Sequence, residues 1–404
     1  MFKAVSVSRE VIGKGESLLL QGNSTTMDLS KWREKVQCVY IDPPFMTGEQ
    51  FMRRRPVGEE GWKKGNPSIQ LPAYTDKFPS RESYLDFLRR LCDQAKMLLT
   101  PTGAFALHLD WRSAPYGRMI CDNVFGEKNF MNEIVWAYES GGRSTKCFSR
   151  KHDTILLYAR GKNVRFDITK VGVSRQNSRK NHMRREIDEN GRSYRSIRSG
   201  GKVYKYYDDD LVYPGDVWTD ISHLQQKDPE RTGYATQKPR KLLERLLLPL
   251  TVEGDMVADL CCGSGTTMEA AQNVGCRFLG IDASGEALQV TSSRLRKHNY
   301  TVENEYTVDD AVLDAVFEQD KGMITMMAFR CPGKFPDIPD PLAIVEQWRA
   351  GRIRDGVFYT EENLMRTYQS PDLPLWGLLP EQEGTPAVSV TDAAGKRRVF
   401  QWVD

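Results

Sequence analysis

No run of 18 apolar residues occurs in this 404-residue chain, which leaves no candidate for a membrane-spanning helix. The opening stretch, MFKAVSVSREVIGKGES, has no apolar core of the kind a secretory signal carries. Cysteine stands at eight positions (38, 92, 121, 147, 261, 262, 276 and 331) but never in CxxC spacing, and five of the eight sit in apolar runs. The five histidines are equally scattered. A disulfide scaffold and a structural metal are therefore not expected, and the thiols read as reduced and mostly buried in a cytoplasmic protein. Compositional bias is missing too: 40% hydrophobic and 27% charged residues describe an ordinary globular chain without repeats.

What is present begins with charge. The formal net charge is only +3, but it is unevenly spread. Between Lys170 and Lys205, eleven Lys and Arg face three acids, Glu186, Asp188 and Glu189, a local balance of +8 that the rest of the chain must offset. Arg175, Arg179, Lys180, Arg184, Arg185, Arg192, Arg195 and Arg198 lie in this stretch with Ser, Asn, Gln and Tyr between them. A solvated basic face would account for the charge alone. The excess of Arg over Lys and the polar interleaving favour a surface that contacts phosphates.

Two or three domains are expected from the length. Up to residue 139, short apolar runs alternate with amphipathic stretches. Residues 17–21 (SLLLQ) and Val36–Ile41 read as buried strands, and 81–99 as a helix, because Tyr84, Leu88, Leu91, Ala95 and Leu98 recur every three or four positions. Pro101-Thr102-Gly103 breaks that helix before a strand at 104–109. Such alternation implies a parallel sheet covered on both faces. From 140 to 234 the chain is polar, Arg-rich and irregular, apart from a strand at 155–158. Helical spacing returns with Leu242, Leu243, Leu246 and Leu247, with Pro239 in the first turn, where proline is tolerated. Strand, glycine loop, helix, strand and helix follow. The expected divisions are thus 1–139, 140–234, 235–298 and 299–404, the last without a chemical motif and ending in a hairpin around Ala393-Ala394-Gly395.

Two short stretches carry chemistry. DLCCGSGTT, from Asp259 to Thr267, follows a strand and opens a helix. Gly263 and Gly265 suit a backbone that turns sharply and lies flat against a ligand. Asp282 closes the next strand, placed to accept hydrogen bonds from the hydroxyls of a ribose. A plain turn explains the glycines alone, and a helix N-cap explains Asp282 alone; the pair points to an adenosine-containing ligand at the carboxyl edge of the sheet. Met268 stands where a dinucleotide fingerprint needs its third glycine, and no lysine precedes the threonines as a phosphate-binding loop requires. An adenosyl cofactor without phosphates fits best. The second stretch, VQCVYIDPPFMTG at 36 to 48, ends a strand on a carboxylate and then denies two residues their N–H groups. Asn-Gly or Pro-Gly would serve an ordinary turn, so a stiffer device is implied.

These two motifs, with Thr236-Gln237-Lys238-Pro239 just upstream of the glycine loop, resemble the amino-methyltransferases that modify exocyclic nitrogens of DNA bases with S-adenosylmethionine. The order is similar to the circularly permuted β-group of this N4-cytosine/N6-adenine DNA methylase family, and LLLQGNS, FGEKNFMNEIVW and RKHDTILLYAR look like it too. The likeness covers residues 17 to 297. It implies an α/β, Rossmann-like class I methyltransferase: a mostly parallel sheet with helices on both faces, circularly permuted, with an inserted target-recognition region at 140–234 and a small C-terminal extension. It implies Asp42, Pro43, Pro44 and Phe45 as catalytic. It also implies Asn23, Thr236, Gln237, Lys238, Pro239, Asp259, Cys261, Gly263, Ser264, Gly265, Thr266 and Asp282 as the cofactor site, and the basic residues named above as DNA contacts. Cys261 stands where the family usually has Phe, Asn23 where Asp is common, and Phe45 where Tyr is commoner.

The implied reaction gives DPPF a reason. A nucleobase amine is a poor nucleophile because its lone pair is delocalised into the ring. Two acceptors aimed at its hydrogens, Asp42 and the Pro43 carbonyl, would free that lone pair, and consecutive prolines fix the direction of the carbonyl. Phe45 would stack on the base, which must first be flipped out of double-stranded DNA. Asp at the head of the motif leans toward adenine N6, with cytosine N4 the alternative. A companion restriction endonuclease is a candidate partner, and the working form is a monomer or a homodimer. A nicotinamide oxidoreductase would share the sheet and Asp282 but leaves DPPF unexplained; an inert DNA-binding protein would bind cofactor without turnover. Lys238 is either a cofactor contact or a solvated first-turn lysine. Arg53-Arg54-Arg55 is either a DNA clamp or a solvated loop. Trp136 and Tyr138 read as core, and His152 and Asp153 as loop-orienting.

Overall fold

The computed structural model describes all residues except 14–15, 66, 140–142, 175–183, 226–227, 235, 296–298, 304–308, 332–334, 336–339, 368–369 and 404. Every position of the Val36–Ile41 strand is buried. Cys38 and Tyr40 belong to one core, Val39 and Ile41 to another, which is the two-residue alternation of a strand covered on both faces. The first core packs against Leu242, Leu243, Leu246 and Leu247 of the Arg240–Leu247 helix. The second packs against Tyr84, Leu88, Leu91, Cys92, Ala95 and Leu98 of the Arg81–Leu98 helix, the stripe that the sequence spacing predicts. Ser80 and Ser83 start that helix with a reciprocal capping box. Pro239 is not in the first turn of its helix but caps it from an extended conformation.

A run of parallel strands forms the centre of a 15-stranded sheet. Its order is Tyr300–Glu303, Leu18–Gln21, Arg277–Asp282, Met256–Asp259, Val36–Ile41 and Leu99–Asp110, all parallel neighbours. His152–Ala159 and Phe130–Ala137 then extend it antiparallel. From Val36–Ile41 the chain returns through the Arg81–Leu98 helix to one side, at Leu99–Asp110. From Met256–Asp259 it returns through the Thr266–Asn273 helix to the other side, at Arg277–Asp282. The directions diverge between two neighbouring strands, and in open α/β sheets ligands bind in the crevice outside the carboxyl ends at such a point.

Met268 explains how the fold manages without a third glycine on the helix. The glycine lies on the strand beneath instead: a Cβ on Gly280 would stand 2.7 Å from Met268 Sδ and 2.8 Å from Leu19 Cδ2. Close approach of helix to sheet is preserved with the partners exchanged.

A third core lies in the C-terminal part, around Trp348, Val388, Val390, Phe329 and Phe400. Thr385–Asp392 and Arg397–Trp402 pair antiparallel, forming the hairpin read from the sequence. The first strands of the chain, Phe2–Val5 and Arg9–Ile12, pair with Arg397–Trp402 and with Val357–Met365, so both ends of the chain share this part of the sheet. Among the described residues no helix is long and apolar enough to cross a membrane. Because Met268 and Leu19 are fully buried and cannot swing clear, Gly280→Ala is expected to cost about 1–3 kcal/mol by overpacking, measured as a lowered urea midpoint at unchanged slope.

Candidate active site

The crevice holds a cavity of about 530 Å³, within the usual range for small-molecule sites. Asp42, Pro43, Pro44 and Phe45 line it from the end of Val36–Ile41. Asp259, Cys261, Gly263, Ser264 and Thr266 line it from the end of Met256–Asp259, with Asp282, Asn23, Thr236 and Lys238 completing the wall. The two motifs, distant in sequence, thus open on one space. Gln237, Pro239 and Gly265 are not in its lining. Gln237 is turned toward the preceding loop, accepting from Thr232 N and Oγ1 (both 2.8 Å) and donating to the Glu230 carbonyl (2.7 Å). Gly265 caps the Thr266–Asn273 helix at φ +76°, where a Cβ would strike Thr291.

Backbone geometry fixes the glycine bend. Gly263 has φ +50°, and its N–H donates to Asp282 Oδ2 at 2.9 Å. Asp282 Oδ1 accepts from Ser284 N at 2.8 Å, yet the N-cap of the following helix is Ser284, whose side chain accepts from Ala287 N. The capping explanation of Asp282 is therefore replaced: this carboxylate holds the bend. Asp259 accepts from Cys261 N (3.0 Å) and Thr267 Oγ1 (2.6 Å). Burial, opposed by those hydrogen bonds and reinforced by Asp42 and Asp282, pushes its carboxyl up to about 7. Burial also raises Asp282. The Asn23 side-chain oxygen is engaged within its own turn, accepting from Thr25 N and Oγ1.

Lys238 is neither solvated nor simply a cofactor contact. Its Nζ donates to both oxygens of Asp42, at 3.0 and 2.8 Å, and sits 5.1 Å from the Phe45 ring centre. An ionised carboxylate has further lone pairs on each oxygen, so Asp42 can accept from a ligand amine at the same time. The cavity lining holds four carboxyls, Asp42, Asp76, Asp259 and Asp282, against the single ammonium of Lys238. A phosphate-bearing ligand would meet acids and a lysine already paired. A cationic ligand without phosphates suits the balance, and the bare glycine bend beside Asp282 suits an adenosyl group.

Several lining residues carry no motif signal. Asp76 accepts from Met46 N (2.8 Å), Thr47 N (3.0 Å) and Thr47 Oγ1 (2.6 Å), which holds Met46 at φ +58° directly after DPPF. Phe51, Tyr74 and Tyr234 stack in series, with centroids 4.7 and 6.4 Å apart, and Tyr234 meets the bare face of Gly263. Tyr234 lies two residues before TQKP, a cue that sequence reading could have used; Phe51 and Tyr74 had none. Behind Phe45, His108 stacks on its ring (6.4 Å, 24°). His108 Nδ1 is 2.8 Å from Tyr40 Oη, and Nε2 is 3.2 Å from Asp153, which also accepts from Tyr138. Burial would raise Asp153, but the hydrogen bond and charge of His108, with help from Lys238 and Tyr138, hold its carboxyl at about 2. Trp136 is fully buried, as read from the sequence.

The basic segment is only partly described, with Arg175, Arg179 and Lys180 outside the described residues. Arg184 and Arg198 are exposed. Arg185 pairs with Asp208, and Arg192 with Asp209. Arg195 is half-buried opposite Tyr206 in the antiparallel sheet of Arg185–Ile187, Ser193–Ser199 and Lys202–Tyr207. The +8 balance is therefore smaller in space than in sequence. Of the Arg53-Arg54-Arg55 run, Arg55 is buried and ion-paired, neither DNA clamp nor solvated loop.

A mostly parallel sheet with an acidic proline turn and a glycine bend at its switch point is the Rossmann-like architecture of a class I methyltransferase. Residues 36–293 match the family described as DNA methylase. The chain belongs to this N4-cytosine/N6-adenine DNA methylase family. It is 26% identical over 307 residues to the type II methyltransferase M2.DpnII of Streptococcus pneumoniae, covering 74% of this chain and 97% of the relative. It is 25% identical over 264 residues to the DNA adenine methyltransferase YhdJ of Escherichia coli (strain K12), covering 65% and 76%. The solved PvuII DNA methyltransferase (cytosine-N4-specific) is 15% identical, with a TM-score of 0.46, covering 73% of this chain and 90% of that one.

The raised Asp259 carboxyl has a stability consequence. The folded state holds this proton more tightly than the unfolded chain, so stability is full below the unfolded carboxyl pKa and falls as pH rises toward 7. The advantage of the wild type over Asp259→Asn should therefore shrink between about pH 4 and pH 7, followed by urea denaturation across that range without cofactor.

Proposed function

We propose that this protein transfers a methyl group from S-adenosylmethionine to the exocyclic N6 of an adenine flipped out of duplex DNA. The observation that carries the reading is the shared cavity: Asp42 and Gly263, on neighbouring strand ends, face the same space. S-adenosylmethionine supplies an electrophilic methyl on a sulfonium, a cation in keeping with the acidic lining. Asp282, beside the glycine bend, is positioned to take the ribose hydroxyls, and Tyr234 and Tyr74 shield that end of the cavity from water. Asp42 accepts one hydrogen of the base amine and the Pro43 carbonyl the other, with Lys238 supplying the counter-charge. Phe45, backed by His108, takes the face of the base.

Adenine is favoured by the acid that heads DPPF and by the adenine-specific name of one relative. The exposed basic residues of the 184–205 sheet contact DNA phosphates, and a companion restriction endonuclease sharing the target sequence is the partner this activity would serve. Nucleosides digested from DNA treated with the protein and cofactor should contain N6-methyladenine; N4-methylcytosine in its place would overturn the choice of base.

Asp42→Ala should lower methyl incorporation by about 10²-fold or more, while titrations still show cofactor and DNA binding. A folded variant that methylates at the wild-type rate would remove Asp42 from the chemistry. Arg198→Ala, which touches no cavity residue, should weaken DNA binding and reduce the slope of log affinity against log salt by about one. An unchanged slope in filter-binding titrations would take Arg198 off the phosphate surface.

A further inference from the structure

Residues 50–75, between the DPPF turn and the Arg81–Leu98 helix, fold as a hairpin of Gln50–Pro56 and Ser68–Thr75. It reaches from one part of the molecule to another. At one end Phe51 pairs with Tyr74 across the strands, Tyr74 stacks on Tyr234 beside the glycine bend, and Asp76 grips the backbone that follows DPPF. At the other end Val57 and Ile69 pack into the C-terminal core, and Gly58 N donates to the Ala343 carbonyl at 2.8 Å.

Arg55 sits at that far end with its side chain 5% exposed. It reaches Glu346 of the Val345–Arg354 strand at 2.8 Å and Glu286 of the Gly285–Arg294 helix at 3.9 Å. It also donates to Gln289 of that helix, which in turn donates to Glu346. Hairpin, cofactor-side helix and C-terminal strand thus meet at one buried cation. A charge taken out of water is held only where its partners are in place, so this contact has one good geometry and poor alternatives. Exposed lysine pairs on the same hairpin's helix, such as Lys64 with Glu60, have no such constraint.

We propose that the C-terminal part of the chain is a brace for the cavity: the Arg55–Glu346 contact, closed through Gln289, holds the hairpin so that Tyr74 stays stacked on Tyr234 and Asp76 keeps the catalytic turn in place. Arg55 and Glu346 are positioning residues; neither lines the cavity. The inference rests on the cavity being the S-adenosylmethionine site. Loosening the brace lowers the fraction of molecules in which Tyr74 is stacked on Tyr234 and the turn is held, and apparent affinity falls by that fraction.

The test compares Glu346→Gln and Glu346→Asp with Val390→Ala, which thins the same C-terminal core at a side chain that takes no part in the Arg55–Glu346–Gln289 contact. Each full-length protein is titrated with S-adenosylmethionine, and hydrogen exchange is followed over 50–56 and 68–75. Glu346→Gln should raise the cofactor Kd on the order of tenfold and speed exchange in the hairpin. Glu346→Asp, which keeps the charge on a shorter arm, should fall between it and the wild type. Val390→Ala should lower the melting temperature and leave both readouts unchanged. If Glu346→Gln does not fold, Glu346→Asp decides alone. A folded Glu346 variant with wild-type affinity and wild-type hairpin exchange overturns the proposal, as does a Val390→Ala effect of equal size. Failure of the wild type to bind S-adenosylmethionine would instead reject the cofactor reading, and hairpin exchange would then judge the brace.

Discussion

The pairing of Lys238 with Asp42 is the contact on which the site depends. It joins side chains 196 positions apart, Asp42 at the end of the Val36–Ile41 strand and Lys238 just before the Arg240–Leu247 helix. Both are largely buried, at 9% and 17% side-chain exposure. Removing one member of such a pair costs about 3–5 kcal/mol, because the other is left as an uncompensated charge. The cavity around them is otherwise acidic, so the ammonium does more than tie two segments. It lets a carboxylate stand at the proline-turn end while Asp259 and Asp282 occupy the glycine-bend end. Asp259 answers the same crowding differently, with a carboxyl pushed up to about 7 in its dry surroundings. One acid is paired with a buried ammonium and another is drawn toward neutrality by burial, so two carboxyls of one cavity stand in different surroundings.

Topology brings these groups together without regard to chain order. The glycine bend and the proline turn sit on strands that are parallel neighbours, and crossovers leaving in opposite directions keep the space between them open. The exchange at Met268 makes a similar point at the scale of one contact. Helix and sheet must approach closely, but the residue that lacks a side chain can stand on either surface, and here it is Gly280.

Local periodicity and local chemistry made part of this legible in advance. The 81–98 helix shows its apolar stripe in five consecutive turns, and the Val36–Ile41 strand is apolar at five of six positions. DPPF and the glycine loop are readable because each is a short backbone device whose residues serve one another. The hairpin at 50–75 was not legible for the opposite reason. Its strands, QFMRRRP and SIQLPAYT, have no clean alternation, and its Arg run looks like a solvated charge cluster. What fixes it are partners near positions 286 and 346. The basic segment misled in a related way: the counted stretch stopped at Lys205, and the acids that neutralise Arg185 and Arg192 begin at Asp208.

The same logic extends to the ends of the chain. Glu10 is fully buried, where burial alone would neutralise it, yet Arg349 and Arg397 hold its carboxyl below the usual range, with Thr360 as a further donor. Arg398 is likewise enclosed by Asp309 and Asp392. Apolar residues of similar volume would give equal or greater stability at such positions, so stability alone is a weak reason for these ions. Their geometric demand is the stronger one. A strand slipped by one residue would strand a charge in the core, so Arg9–Ile12 has one register against Val357–Met365. That register ties the segment just before Leu18–Gln21, a strand of the central sheet, to the C-terminal strands that carry Glu346. The C-terminal part is therefore anchored to the central sheet at one side and to the hairpin at the other, and a brace requires two fixed ends.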